Sequence, residues 1–215
     1  EGHMAFKLKI GFERQSDLKN IEEISSNLNS DEQFMVDANQ AWTVDEASDI
    51  LPDLAEFSLA WLEEPIMADR PYEEWLKLSS SSSVSIAAGE NILNARDFDL
   101  QISKPILDVI QPDLCKWGGI SGVLPIAQKI ITAGKRYCPH YLGGGIGLAA
   151  SAHLLAAVGG DGMLEIDSND NSLRDALFSV PIKEGRLTLP DTPGLGMADK
   201  FSALLGADLA KGTTK

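Results

Sequence analysis

Phe34-Met35-Val36-Asp37, Leu59-Ala60-Trp61-Leu62-Glu63 and Ile86-Ala87-Ala88-Gly89-Glu90 are three short apolar runs, each closing on an acid. The acids stand 26 and 27 residues apart, the length of one strand, one helix and their loops. In a parallel α/β barrel that period puts them on neighbouring strands at the C-terminal rim, where such barrels keep their chemistry. A lone acid at a strand end is usually a helix cap or a solvated loop charge, but three in step call for a shared reason. Three carboxylates brought together repel unless a cation compensates them, and oxygen-only ligation suits a hard ion such as Mg²⁺. A divalent metal site is therefore expected at Asp37, Glu63 and Glu90.

The series continues downstream. Asp113 follows Val109-Ile110-Gln111-Pro112, His140 follows Tyr137-Cys138-Pro139 and Glu165 follows Met163-Leu164, at steps of 23, 27 and 25 residues. Upstream, Lys7-Leu8-Lys9 sits on an apolar run, so both lysines face one side of a strand; if that side is the barrel interior, two ammonium groups join the acids. Apolar runs at 5–10, 33–36, 58–62, 84–88, 107–110, 136–138 and 162–166 read as strands, and 14–28, 43–57, 72–79, 95–103, 121–133 and 148–158 as helices. The fold expected is α/β, a (β/α)7β TIM-like barrel incomplete at its N-terminal end, with the first strand missing.

Local signals fill in this frame. Thr43 and Glu46 have the spacing of a capping box. The serine run 79–83 reads as a surface connection between helix and strand, and 181–193 as an extended hairpin turning near Glu184-Gly185 over one end of the barrel. The opening Glu1-Gly2-His3-Met4 resembles a vector remnant, which leaves 5–215 as the barrel domain with a C-terminal extension and removes His3 from functional argument. His153, in an apolar helix, reads as a packed histidine, and Gly143-Gly144-Gly145-x-Gly147 as a tight loop after His140. Trp42, Trp61, Trp75 and Trp117 read as packing residues.

With 215 residues, 44% of them hydrophobic and 23% charged, the chain suffices for one sizeable core. Its net charge of −14 opposes nucleic acid and anionic membranes as partners. A small anionic substrate is compatible only if local cations override that field. No apolar run reaches the roughly 18 residues that span a bilayer, and no signal-peptide order is present, so the expected compartment is the cytosol. Cys115 and Cys138 form no disulfide framework and no metal-ligand spacing, and both read as reduced, buried thiols.

Taken together, Lys7-x-Lys9, Asp37-Ala38-Asn39-Gln40-Ala41-Trp42, Trp61-Leu62-Glu63-Glu64-Pro65, Gly89-Glu90-Asn91, Gln111-Pro112-Asp113, Pro139-His140 and Glu165 resemble the mandelate racemase subgroup of the enolase superfamily, in its C-terminal barrel domain. The resemblance runs from Lys7 to Ser168. It implies Mg²⁺ ligation by Asp37, Glu63 and Glu90, a base at Lys9 on one face of the substrate, and a base at His140 on the other, oriented by Asp113. Lys7 and Glu165 resemble the groups that hold the substrate carboxylate and the developing enediolate, and Asn39 a contact to a substrate hydroxyl. It also implies a small carboxylate substrate and a homo-oligomer. The family's N-terminal capping domain is not read in this chain.

A carbon next to a carboxylate is a weak acid whose deprotonated form carries charge on two oxygens, so its ionisation needs electrostatic stabilisation as the charge develops. The leading expectation is dehydration of a sugar-derived hydroxy acid, with His140 assisting departure of the hydroxyl. Racemisation or epimerisation of a 2-hydroxy acid uses the same two bases and stands beside it. A cycloisomerase would draw on Lys116, yet three residues separate Asp113 from Lys116, which on a regular strand turns them to opposite faces. A barrel fragment without catalysis is the alternative from another class.

Overall fold

The computed structural model describes residues 2–212. Six parallel strands form one sheet in sequential order: β1 (Ala5–Lys9), β2 (Gln33–Asp37), β3 (Leu59–Glu63), β4 (Ile86–Ala88), β5 (Val109–Ile110) and β6 (Arg136–Tyr137). Helices return the chain after each of the first five: α1 (Arg14–Ser25), α2 (Val44–Leu54), α3 (Tyr72–Ser81), α4 (Ala95–Ser103) and α5 (Gly119–Thr132), with α6 (Gly145–Val158) after β6. This is the expected α/β barrel architecture.

Alternation along the strands sorts the side chains into two cores. Phe34, Val36, Leu62, Ile86, Ala88, Ile110 and Tyr137 face outward and pack under the helices with Ile21, Leu54, Leu78, Phe98 and Ile126. Met35, Trp61, Ala87, Val109 and Cys138 face inward and form a separate layer, with Ala5 and Met163 against it. Strands buried on both faces in this way read as continuous apolar runs, which is why the sequence marks them.

The seventh run, 162–166, does not join the ladder. It lies close against β6, where a Cβ on Gly162 would come within 1.9 Å of the Tyr137 carbonyl oxygen. The Met163 amide donates to Cys138 Sγ at 3.4 Å instead of to a backbone carbonyl. The serine run also differs from expectation, because α3 continues through Ser81, whose hydroxyl donates back to the carbonyls of Lys77 and Leu78. Beyond the barrel come α7 (Ser172–Leu177), the hairpin β7 (Ile182–Lys183) with β8 (Arg186–Leu187), and α8 (Ala198–Gly212). The hairpin turns at Glu184 and Gly185, both at positive φ, and the Gly185 amide donates to the Gly2 carbonyl at 2.7 Å. It therefore covers the N-terminal end of β1, away from the strand-end acids. Among the described residues no helix is long and apolar enough to cross a membrane.

The capping box at α2 is complete: the Glu46 amide donates to the Thr43 hydroxyl at 3.3 Å and the Thr43 amide to the Glu46 carboxylate at 2.8 Å. Thr43→Ala is expected to cost about 1 kcal/mol of stability, read as a lower urea midpoint at unchanged slope. An unchanged midpoint would mean that packing of α2 alone fixes its start.

Candidate active site

Each inward core residue but Ala87 of β4 is followed, two positions on, by a polar one. Ala5 leads to Lys7 and Lys9, Met35 to Asp37, Trp61 to Glu63, Val109 to Gln111 and then Asp113, Cys138 to His140, and Met163 to Glu165. The pleat thus lifts the chemistry one step above the apolar interior layer. Ladder register does the rest, since Lys9 pairs with Asp37 and Asp37 with Glu63 across neighbouring strands.

Glu90 breaks the count, lying three positions beyond the inward Ala87. Gly89 accounts for it. Its φ is +147°, and a Cβ there would meet the Gln111 backbone nitrogen at 2.6 Å, so only glycine allows the β4 end to press on the next strand while turning Glu90 inward.

Asp37 and Glu63 are almost fully buried. Lys7 reaches both Glu63 oxygens at 2.7 and 2.9 Å, Asp37 at 3.7 Å and Glu165 at 2.5 Å. Lys9 donates to Asp37, with its own side chain half exposed. Glu63 also accepts from Trp61 Nε1 at 3.2 Å and Gln111 Nε2 at 2.8 Å. Burial lowers the Lys7 pKa, but Glu63, Glu165 and Asp37 outweigh it and hold the ammonium protonated. Burial and the neighbouring Glu63 push the Asp37 pKa up, against the pull of the two lysines.

On the other flank, His140 Nδ1 lies 2.8 Å from Asp113 Oδ2, and Nε2 lies 3.0 Å from Glu90 Oε2 and 3.9 Å from Glu165 Oε2. Burial would lower the His140 pKa, yet the hydrogen bonds to Asp113 and Glu90 and the fields of Glu165 and Glu90 raise it to about 9. Burial likewise opposes ionisation of Glu90, and contact with His140 and Lys116 reverses that, bringing it down to about 2. Glu165 closes the ring, accepting the Tyr141 amide at 3.1 Å while pairing with Lys7. Asn39 stands at the rim with an exposed side chain and donates its backbone amide to Asp37 at 2.8 Å.

Lys116 overturns the parity expectation. Residues 114–118 form a turn and not a strand, and Lys116 Nζ reaches Glu90 Oε1 at 2.9 Å. The same turn exposes Cys115, so only Cys138 is the buried thiol expected of both. Glu64, the acid of the adjacent pair passed over when the resemblance selects Glu63, is 1% exposed and accepts twice from Asn91 Nδ2; burial first, then Glu90, lift its pKa to about 7. The adjacent pair Glu63-Glu64 before Pro65 was the only available signal. Asp17 is also buried but is structural, accepting the Gly11 and Phe12 amides. His153 is half-buried in α6 as expected, and its Nε2 has no hydrogen-bond partner among the described residues.

Among the described residues no three carboxylate, thiolate or imidazole groups already converge as metal ligands. The lysines and His140 hold the acids instead. The donor set of Asp37, Glu63 and Glu90 is nonetheless all oxygen, with the first two buried and Glu90 nearly so, which suits a hard divalent cation.

The profile of the family described as Enolase C-terminal domain-like matches residues 1–200. D-galactarolactone cycloisomerase of Agrobacterium fabrum is 32% identical over 214 residues, covering 95% of this chain and 56% of that protein. A mandelate racemase/muconate lactonizing enzyme of Bordetella bronchiseptica superposes with a TM-score of 0.91 at 46% identity, over 96% of this chain and 58% of its own. L-talarate dehydratase of Polaromonas, solved with Mg and L-glucarate, superposes with a TM-score of 0.79 at 29% identity, over 91% and 53%. The chain thus spans about half the length of the relatives it matches.

The His140 assignment carries a pH signature. A folded pKa raised from 6.5 to about 9 contributes stability that is complete below pH 6.5 and is lost as pH rises through 9. The shift is worth about 3 kcal/mol. Without added metal, the His140 ring proton resonance is expected to titrate near 9 and to move down in Asp113→Asn. A midpoint at or below 6.5 in the unaltered protein would show that Asp113 and Glu90 do not hold the imidazolium.

Proposed function

This chain belongs to the Enolase C-terminal domain-like family, of the mandelate racemase/muconate lactonizing type, and from that premise we propose that it abstracts the proton alpha to a substrate carboxylate in a magnesium-dependent reaction. The observation that carries the reading is the ring of Lys7, Lys9, Asp37, Glu63, Glu90, Asp113, His140 and Glu165, in which three acids from adjacent strands lie between a lysine pair and a histidine–aspartate pair. Asp37, Glu63 and Glu90 would hold Mg²⁺, which supplies Lewis-acid stabilisation of charge developing on the carboxylate oxygens.

The chain's own residues divide the remaining work. Lys7, charged at neutral pH, binds the substrate carboxylate, and Glu165 fixes Lys7 in place. Asn39, exposed at the rim, meets a substrate hydroxyl. Lys9 Nζ, after giving up the proton with which it pairs Asp37 in the resting site, takes the alpha proton, leaving the electron pair delocalised over the carboxylate. His140, protonated and oriented by Asp113, gives its Nε2 proton to the hydroxyl on the beta carbon. The beta C–O bond breaks, water departs and the enol product tautomerises to a keto acid. Asp113 Oδ2, 2.8 Å from His140 Nδ1, favours the imidazolium that this step needs, which supports dehydration of a sugar-derived hydroxy acid.

Cycloisomerisation is a second reading, supported by Lys116 Nζ at 2.9 Å from Glu90 Oε1, which adds a third ammonium group to the rim. In both readings the substrate is a small carboxylate.

Proton NMR in D₂O with Mg²⁺ and a panel of hydroxy acids tests the reaction directly. Alpha-proton exchange that stops on adding chelator, with a keto acid as product, is expected. An inverted epimer would select racemisation, and no exchange across the panel would leave the barrel without the proposed chemistry. Glu90→Gln is expected to lower turnover by roughly two to three orders of magnitude, and an unchanged rate would sink the metal assignment. Lys9→Ala should abolish exchange from one enantiomer far more than from the other; equal losses would count against a one-faced base.

A further inference from the structure

A cavity lies outside the ring of charged residues. It measures about 530 Å³ and opens between the segment after β3 and the segment after β4, with the first turns of α3 and α4 as its walls. Behind it is a recess of about 20 Å³, and Trp75 and Gln101 line both spaces. That volume admits one oxygen-sized group and no more.

The polar atoms at this junction are unusual. Trp75 is 4% exposed, and its indole Nε1 is buried with no hydrogen-bond partner among the described residues; the same holds for Gln101 Oε1. One is a donor without an acceptor, the other an acceptor without a donor. Leaving either unmet costs about 1–3 kcal/mol, and both residues line the recess, so a bound group able to accept from the indole and donate to the amide oxygen would answer both. A hydroxyl does both through one atom. Neutral carbonyls and ethers only accept, and ammonium groups only donate.

The outer cavity defines the rest of the occupant. Met67, Tyr72, Ile92, Leu93 and Leu100 give it an apolar wall. Its charged lining is Asp69, Asp97 and Arg70, and the Arg70 guanidinium is taken up by Glu74 at 2.5 and 2.7 Å. The charge left at the mouth is acidic and repels anions, which separates this cavity from a site for a carboxylate.

We propose that the cavity between α3 and α4 binds a small uncharged alcohol, its apolar body in the outer space and its hydroxyl in the recess between Trp75 Nε1 and Gln101 Oε1. The recess is lined by Gly89 and the outer cavity by Asn91, the two chain neighbours of Glu90. Occupancy therefore bears on the loop that aims a strand-end acid, without the ligand touching it.

Cyclohexanol and cyclohexanone are the probes, matched in size but differing in the ability to donate. With the four tryptophans labelled with ¹⁵N at the indole and Trp75 assigned from the spectrum of Trp75→Phe, cyclohexanol is expected to shift the Trp75 resonance saturably and leave the other three unmoved. Its affinity should exceed that of cyclohexanone at least tenfold, and Gln101→Met, with the rest of the spectrum unchanged, should erase the difference. Equal affinity for alcohol and ketone, or no saturable shift, would overturn the proposal and leave the recess as a water site. The alcohol–ketone comparison on the unaltered chain decides the matter even if the variants fold poorly.

Discussion

Lys9, Asp37 and Glu63 are ladder partners on neighbouring strands, so the backbone brings their charges together before any side chain selects a rotamer. Parallel pairing in this register is the constraint on which the site depends. A slip of one residue along β2 would send Asp37 outward beneath α2 and bring a valine to the rim, exchanging core and site in one step. The penalty for burying unpaired carboxylates at Asp37 and Glu63 makes such a slip self-consistent only if the lysines of β1 slip with them.

Because the acids cannot separate, their charge has to be answered locally. Two cations of β1 answer it from one side, while His140 and Lys116 answer it at Glu90. The two flanks meet through Glu165, which bonds to Lys7 and to the amide beside His140. This closed circuit joins the first strand to the segment after α6 even though no backbone ladder links them. In a chain of net charge −14, four cations, Lys7, Lys9, Lys116 and His140, thereby stand among the five acids of the rim.

What could be read in the sequence was whatever the period of two and the βα repeat enforce. The strand-end positions of the acids and of His140 and the shared face of the two lysines follow from those two rules. The Asp113–His140 pairing was implied by the family resemblance, and the structure brings all of these residues together. Lys116 escaped because parity holds only along a strand, and the chain leaves the strand before it. Cys115 was misread as buried for the same reason. The run 162–166 has strand composition, yet a thiol takes the amide that a ladder would need. Glu64 is buried by the approach of Asn91 from the next βα unit, a tertiary contact without a local sequence signature.

The turn at 114–118 has a consequence for how such a barrel changes over time or at an engineer's hands. A residue on a ladder is tied to two neighbouring strands, and replacing it disturbs both. Lys116 is tied to none, and delivers its charge from a surface turn that can exchange side chains while its Cys115 and Lys116 amides keep their hold on Asp113. New chemistry at this rim therefore has a cheap point of entry, one where a trial residue can fail without taking the fold down with it.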